Sequence, residues 1–225
     1  MENKNENFKK THRHIDTKKI TGAAIFAALA FVVTMLTRWI KIAGFLSLDF
    51  KDAIITVASF IYGPITSVAI TFVVAGIEFF FSETGWYGLV MNIASSTTFA
   101  LIASFIYSRK RNINSALIGL FSAVFATVAV MLALNVLVTP LYFGMPRQAV
   151  IDMLPSVILP FNVAKTLMNS AIIMLLYKPI VMALRRAKLI KGEVGRLTFN
   201  KTSLLITIIS TLSLVSAIVI FVIIN

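Results

Sequence analysis

Apolar residues fall in six runs, at 20–37, 53–81, 86–107, 115–138, 158–184 and 203–224, separated by short polar stretches. A helix rising 1.5 Å per residue needs about 20 residues to cross roughly 30 Å of hydrocarbon. Each run therefore predicts one crossing, except 53–81, which predicts two with a hairpin at Gly63-Pro64: proline removes a helical donor and glycine tolerates the turn. The first of these two helices is short unless it begins near Leu48, which would draw Asp49 and Asp52 to the membrane interface. The pattern predicts an all-α integral membrane protein of seven crossings: a polar leader (1–19), a six-helix membrane domain (20–185), a basic linker (186–202) and one additional C-terminal transmembrane helix (203–225). That last run holds Leu, Ile and Val with Ser and Thr and no charge, and is expected to face lipid.

Composition agrees with a bilayer as solvent. Hydrophobic residues are 58% of 225 positions and charged residues 13%, and the mean hydropathy is +0.90, a balance unlike that of soluble domains. The formal net charge of +12 is unevenly placed: Lys and Arg cluster at 4–19, 109–111 and 178–201, with few at 38–51 and 147. Clusters alternating with apolar runs follow the positive-inside rule. They place the N-terminus in the cytoplasm and Asn225 outside, on a multi-pass protein of the cell membrane, and they argue against nucleic acid as a partner. Trp39, Trp86 and Tyr87 then fall at outer ends, Tyr107 and Tyr177 at inner ones, as aromatic belts do. The leader has no apolar core or cleavage site, so the first run is expected to be an anchor. Cysteine is absent and both histidines, His12 and His14, lie in the leader, which argues against metal and cofactor chemistry. No GxxxxGK or HExxH occurs, so a binding subunit without catalysis is expected.

Ionisable groups inside a span are costly and need a reason. Glu78 and Lys165 are the two. Glu78 is close enough to the segment after it to reach water. Lys165 shares one helix face with Asn162 and Asn169, at i, i+3 and i+7, with Thr166 beside them. Such a stripe should face protein or a cavity, because lipid satisfies none of its donors. Asn135 and Asn92 bring amides from two further helices. Hydrogen-bonded glue between helices is one reading, held open for Asn92 and Asn169; for Asn135, Asn162 and Lys165 a pocket for a planar, acceptor-rich solute is preferred. Residues 38–52 and 139–157, the latter with three prolines, are expected to be long external segments covering its mouth, with Lys51 and Arg147 as surface cations. Ala23, Ala24, Ala27 and Ala28 form two small-xxx-small pairs, suited either to packing or to docking another membrane protein.

"AAIFAAL" in the first run, "LSLDFKDAI", "GWYGLVMN", "LNVLVTPLY" and "LPFNVAKT" together resemble the substrate-binding S components of energy-coupling-factor (ECF) vitamin transporters, most closely the riboflavin-specific ones, over residues 20–185. The alanine motif is weakly specific; "LPFNxxK" after "NxxxxPLY" is more telling. The resemblance implies a six-helix S-component bundle holding a flavin, with helix 1 facing a transmembrane coupling subunit driven by two cytoplasmic ATPases. It implies Asn135, Asn162 and Lys165 as flavin ligands and closure by the segment around Leu48 and Asp49. With Tyr142, Asn92 and Glu78 these complete the ligand-binding candidates. The 203–224 run departs from the family pattern. FMN, FAD or another vitamin remain alternative ligands, and a lipid-modifying membrane enzyme is a third reading, weakened by the shortage of acids and histidines within the spans.

Overall fold

The computed structural model describes residues 17–38, 41–42 in backbone, 46–186, and then 208, 210–212, 215–216 and 219. The leader up to residue 16, Trp39 and the linker 187–202 lie outside the described residues, as does most of the 203–225 run, whose described positions are helical. The elements are α1 (Thr17–Thr37), β1 (Lys41–Ile42), β2 (Leu46–Ser47), α2 (Lys51–Tyr62), α3 (Pro64–Phe79), α4 (Gly85–Lys110), α5 (Ile113–Phe143), α6 (Arg147–Met153), a π-helical turn (Leu154–Ile158) and α7 (Leu159–Arg186).

The run 53–81 does form two helices broken at Gly63, whose φ of 102° only glycine adopts without strain, followed by Pro64 at the first position of α3. With 12 residues, α2 rises only about 18 Å. It is short because it is enclosed: every residue from Lys51 to Phe60 is buried, with α1, α3, α4 and α7 packed around it. An interior helix has no lipid thickness to match, and its polar residues need only protein partners. Four longer helical stretches, 17–37, 85–110, 113–143 and 147–183, are apolar and long enough to cross a membrane.

Two expectations change. Residues 139–157 are not a long loop. α5 runs through Pro140 to Phe143, and after Gly144 (φ 64°) α6 and the π turn lead directly into α7. Pro140 falls in the last turn of α5, where its missing N–H and its ring disturb only the Val136 carbonyl one turn before. Tyr107 is not a belt residue either. It is 5% exposed, stacks on Phe60 at 4.2 Å between centroids, and its hydroxyl is hydrogen-bonded to that of Tyr177. These rings close one end of the core; Trp86, at the other end, is exposed as expected.

α4 and α5 are joined by a tight turn in which Arg111 adopts the left-handed conformation and Asn112 caps α5 reciprocally with Ser115. Their backbones then approach closely at Gly119, where a Cβ would meet the Ala103 carbonyl oxygen at 2.6 Å. Gly119→Ala is expected to lower stability by about 1–3 kcal/mol through overpacking against backbone. Gly76→Ala, whose Cβ meets nothing within 4 Å, should show no comparable loss. Thermal unfolding of both variants in detergent decides the matter, and equal midpoints would remove the close approach as a constraint.

Candidate functional site

Above the N-terminus of α2 lies a cavity of about 270 Å³, bounded by the C-terminal ends of α1, α3 and α5, the N-terminal ends of α4 and α7, and β2. Asn135, Asn162, Lys165, Asp49, Tyr142, Asn92 and Glu78 all line it. Leu48 does not: it packs behind the wall with Leu46, Phe161, Ala164 and Met168, an apolar seat that holds the segment carrying Asp49. Apolar walls come from Met35, Met91, Met131, Val138 and Phe161. Tyr87 and Tyr142 line it as well, with ring centroids 5.8 Å apart.

Two buried ion pairs organise the floor. Lys165 Nζ donates to Asp49 Oδ2 at 2.9 Å, and Lys51 Nζ donates to Glu78 Oε2 at 2.5 Å. Lys165, expected as a cation among amide donors, thus also has a carboxylate partner. Burial works to raise the Asp49 carboxyl, but Lys165 and Lys51 outweigh it and hold the group below the usual carboxylate range. Glu78 does not escape to water: it is 5% exposed and also accepts from Asn92 Nδ2 at 3.2 Å. Nor is Lys51 a surface cation; at 2% exposure it is among the largest fully buried side chains of the described residues. A third acid, Asp52, accepts from Ser96 Oγ and lies in the first turn of α2, where the helix dipole favours an anion. Lys51 and Asp52 escaped recognition as site residues because the apolar run appeared to start after them; the signal available was their alternation with Asp49 just before a short helix.

The amides divide by task. Asn169 is structural: its Oδ1 accepts the Ala53 N–H at 2.8 Å at the start of α2, a donor shared with the Phe50 carbonyl at 3.2 Å, and its Nδ2 donates to the Asp49 carbonyl at 3.1 Å. α7 thereby fixes the entry of α2 without a local capping residue. Asn135 Nδ2 donates to the Met131 carbonyl at 2.7 Å and Asn162 Nδ2 to Ile158 at 2.8 Å, each within its own helix. Each amide nitrogen keeps a second proton, and both residues line the cavity. The π turn ends at Ile158; the extra residue per turn resets the register with which Asn162 and Lys165 leave it.

Of the four alanines, Ala27 is buried against the bundle and Ala23 partly so, whereas Ala24 and Ala28 are exposed, flanked by exposed Ile25, Leu29 and Val32. The two small-residue pairs thus point to different sides: one packs inward and the other lies open.

The chain matches the family model "ECF transporter, substrate-specific component" over residues 18–181, and it belongs to that family. It is 30% identical over 176 residues to the riboflavin transporter RibU of Staphylococcus aureus (strain TCH60), covering 75% of this chain and 93% of that protein. It is 25% identical over 171 residues to the riboflavin transporter FmnP of Bacillus subtilis (strain 168), covering 71% and 90%. A solved structure described as the structure and mechanism of the S component of a bacterial ECF transporter superposes with a TM-score of 0.66 at 29% identity, over 76% of this chain and 100% of the other. The protein is thus a multi-pass membrane protein and a transporter's substrate-binding component.

Breaking a buried pair leaves an uncompensated charge, whereas neutralising both partners does not. Lys165→Met is expected to destabilise by about 3–5 kcal/mol, and Lys165→Met combined with Asp49→Asn should recover most of that loss. A double-mutant cycle on thermal or denaturant unfolding measures the coupling; strictly additive losses would show that the two groups do not hold each other.

Proposed function

We propose that this chain binds riboflavin in the cavity above α2 as the substrate-specific component of an ECF uptake system. The observation that carries the reading is the convergence of amides from α4, α5 and α7 with two tyrosines and apolar walls on one cavity. Its size, about 270 Å³, sits near the lower end of small-molecule sites, roughly 300–1,000 Å³, and favours a compact ligand. Asn135 and Asn162 offer their second amide protons, and Lys165 its remaining ammonium protons, to ring carbonyl and nitrogen acceptors. Tyr142, Asn92, Asp49 and Glu78 meet the more hydroxyl-rich part. The names of the two curated relatives support the vitamin's identity.

On this reading six helices, α1 to α5 and α7, form the bundle, and the run 203–224 adds a seventh. Lys18, Lys19, Arg109, Lys110, Arg111, Lys178 and Arg186 all lie at the end remote from the cavity. The positive-inside rule then puts the N-terminus in the cytoplasm and opens the cavity outward. The exposed side of α1, with Ala24 and Ala28, faces a transmembrane coupling subunit, and two partner ATPases supply the energy. The chain itself catalyses nothing and needs no cofactor.

Riboflavin fluorescence should be quenched on titration with detergent-purified protein. Asn162→Ala and Asn135→Ala should each weaken binding by roughly tenfold to a hundredfold, as loss of a buried ligand hydrogen bond does, with the unfolding midpoint little changed. A chain that inserts and folds but neither quenches riboflavin nor purifies with flavin absorbance would end the proposal.

A further inference from the structure

Each ion pair on the cavity floor leaves one oxygen over. Asp49 Oδ2 is held by Lys165, and Asp49 Oδ1 has no hydrogen-bond partner among the described residues. Glu78 Oε2 is held by Lys51 and Asn92, and Glu78 Oε1 has none. Both carboxylates are 5% exposed and both line the cavity. Buried acceptors without partners are costly, so a ligand that binds here gains by donating to them.

The cations of the same floor are already charge-paired. Lys51 and Lys165 are each bound to a carboxylate. Arg38, the third lining cation, donates through Nη2 to the Phe81 carbonyl at 2.5 Å, and Glu83 is a third lining acid. Among the described residues the lining cations and lining acids are equal in number, three of each, and the partnerless oxygens on the floor belong to carboxylates. A phosphate monoester brings about −1.5 to −2 of charge and only strong acceptor oxygens. In a low-dielectric site it would meet two carboxylates whose neighbouring lysines are already paired with them. Hydroxyl and imide N–H groups, by contrast, are donors that these oxygens lack.

We propose that Asp49 and Glu78 set the selectivity of this site, admitting an uncharged flavin rich in hydroxyl donors and rejecting its phosphorylated form. The proposal rests on the flavin reading above. Glu78 acts directly on the ligand through its spare oxygen and electrostatically by engaging Lys51, which would otherwise attract the phosphate.

Affinities for riboflavin and FMN are measured by fluorescence quenching on the wild type, on Glu78→Gln and on Lys51→Met. The wild type should favour riboflavin by on the order of a hundredfold, the scale of a buried like-charge clash. Glu78→Gln keeps the shape but frees the Lys51 charge, so FMN should gain, riboflavin should lose, and the ratio should fall by about tenfold or more. Lys51→Met leaves the acid and removes the cation, so the ratio should stay high or rise, giving a second answer should Glu78→Gln not fold. Equal wild-type affinities, a Glu78→Gln variant that shifts both ligands alike, or a Lys51→Met variant that loses selectivity would overturn the proposal while leaving the flavin site standing. Failure of the wild type to bind either flavin would instead remove the reading beneath it, and this proposal with it.

Discussion

The pairing of Lys165 with Asp49 is the constraint on which the rest of this structure depends. An ammonium group some six residues into α7 is tolerable in a membrane only if an anion is brought to it, and the nearest anion belongs to a different part of the chain. Asp49 reaches it at 2.9 Å because the segment before α2 turns inward, seated by Leu46 and Leu48 on Phe161, Ala164 and Met168. Asn169, one turn further along α7, secures the same segment by holding both the Asp49 carbonyl and the Ala53 N–H. The ion pair, the apolar seat and the amide cap thus act on the same few residues. Such a pair contributes little net stability once desolvation is counted, but it fixes which groups meet.

The position of α2 follows from this. Drawn into the bundle by α7 at its start and turned back at Gly63, it is surrounded on all sides and carries Lys51 and Asp52 into the interior. The pair Lys51–Glu78 then ties it to α3, and Asn92 and Ser96 tie both acids to α4. Four helices thereby share one polar layer. A ligand resting on that layer touches groups whose partners extend into α2, α3, α4 and α7, which gives its arrival a route to those helices.

Much of this was legible in the sequence, and the failures have physical causes. Run length and a Gly-Pro break sufficed to place α1 to α5 and α7, because hydrocarbon thickness leaves few alternatives. Asn135, Asn162 and Lys165 stood out because polar groups are rare in apolar runs, and the structure gathers them on one cavity. The ion partners were harder to see. Asp49 and Lys51 sit in a stretch that is polar enough to pass for loop, and nothing local shows that it folds inward; only the tertiary contact with α7 does. Helix signals failed in the opposite sense at Pro140, where a proline read as a loop marker is carried inside α5. Tyr107 resembled a belt residue by its place near a run's end, yet its hydroxyl finds Tyr177 and its ring finds Phe60, so it lies in the core.

The two ends of the bundle differ in a way that bears on transport. One end encloses polar groups around a cavity; below it Ile55, Phe60, Phe99 and Tyr107 are packed tightly, with the paired tyrosines closing the far side. A solute resting on the ionic layer has dry, close-packed side chains beneath it, and interiors of that density do not open in small steps. Such a bundle is suited to holding a ligand and not to passing it through. Release on the far side would require either the packed half to separate or the whole body to move in the bilayer, and each demands work from outside this chain. The exposed side of α1, with Ala24 and Ala28 set among Ile25, Leu29 and Val32, is where another membrane helix could approach closely enough to deliver that work, while the inward alanines keep α1 fast against the body it would move.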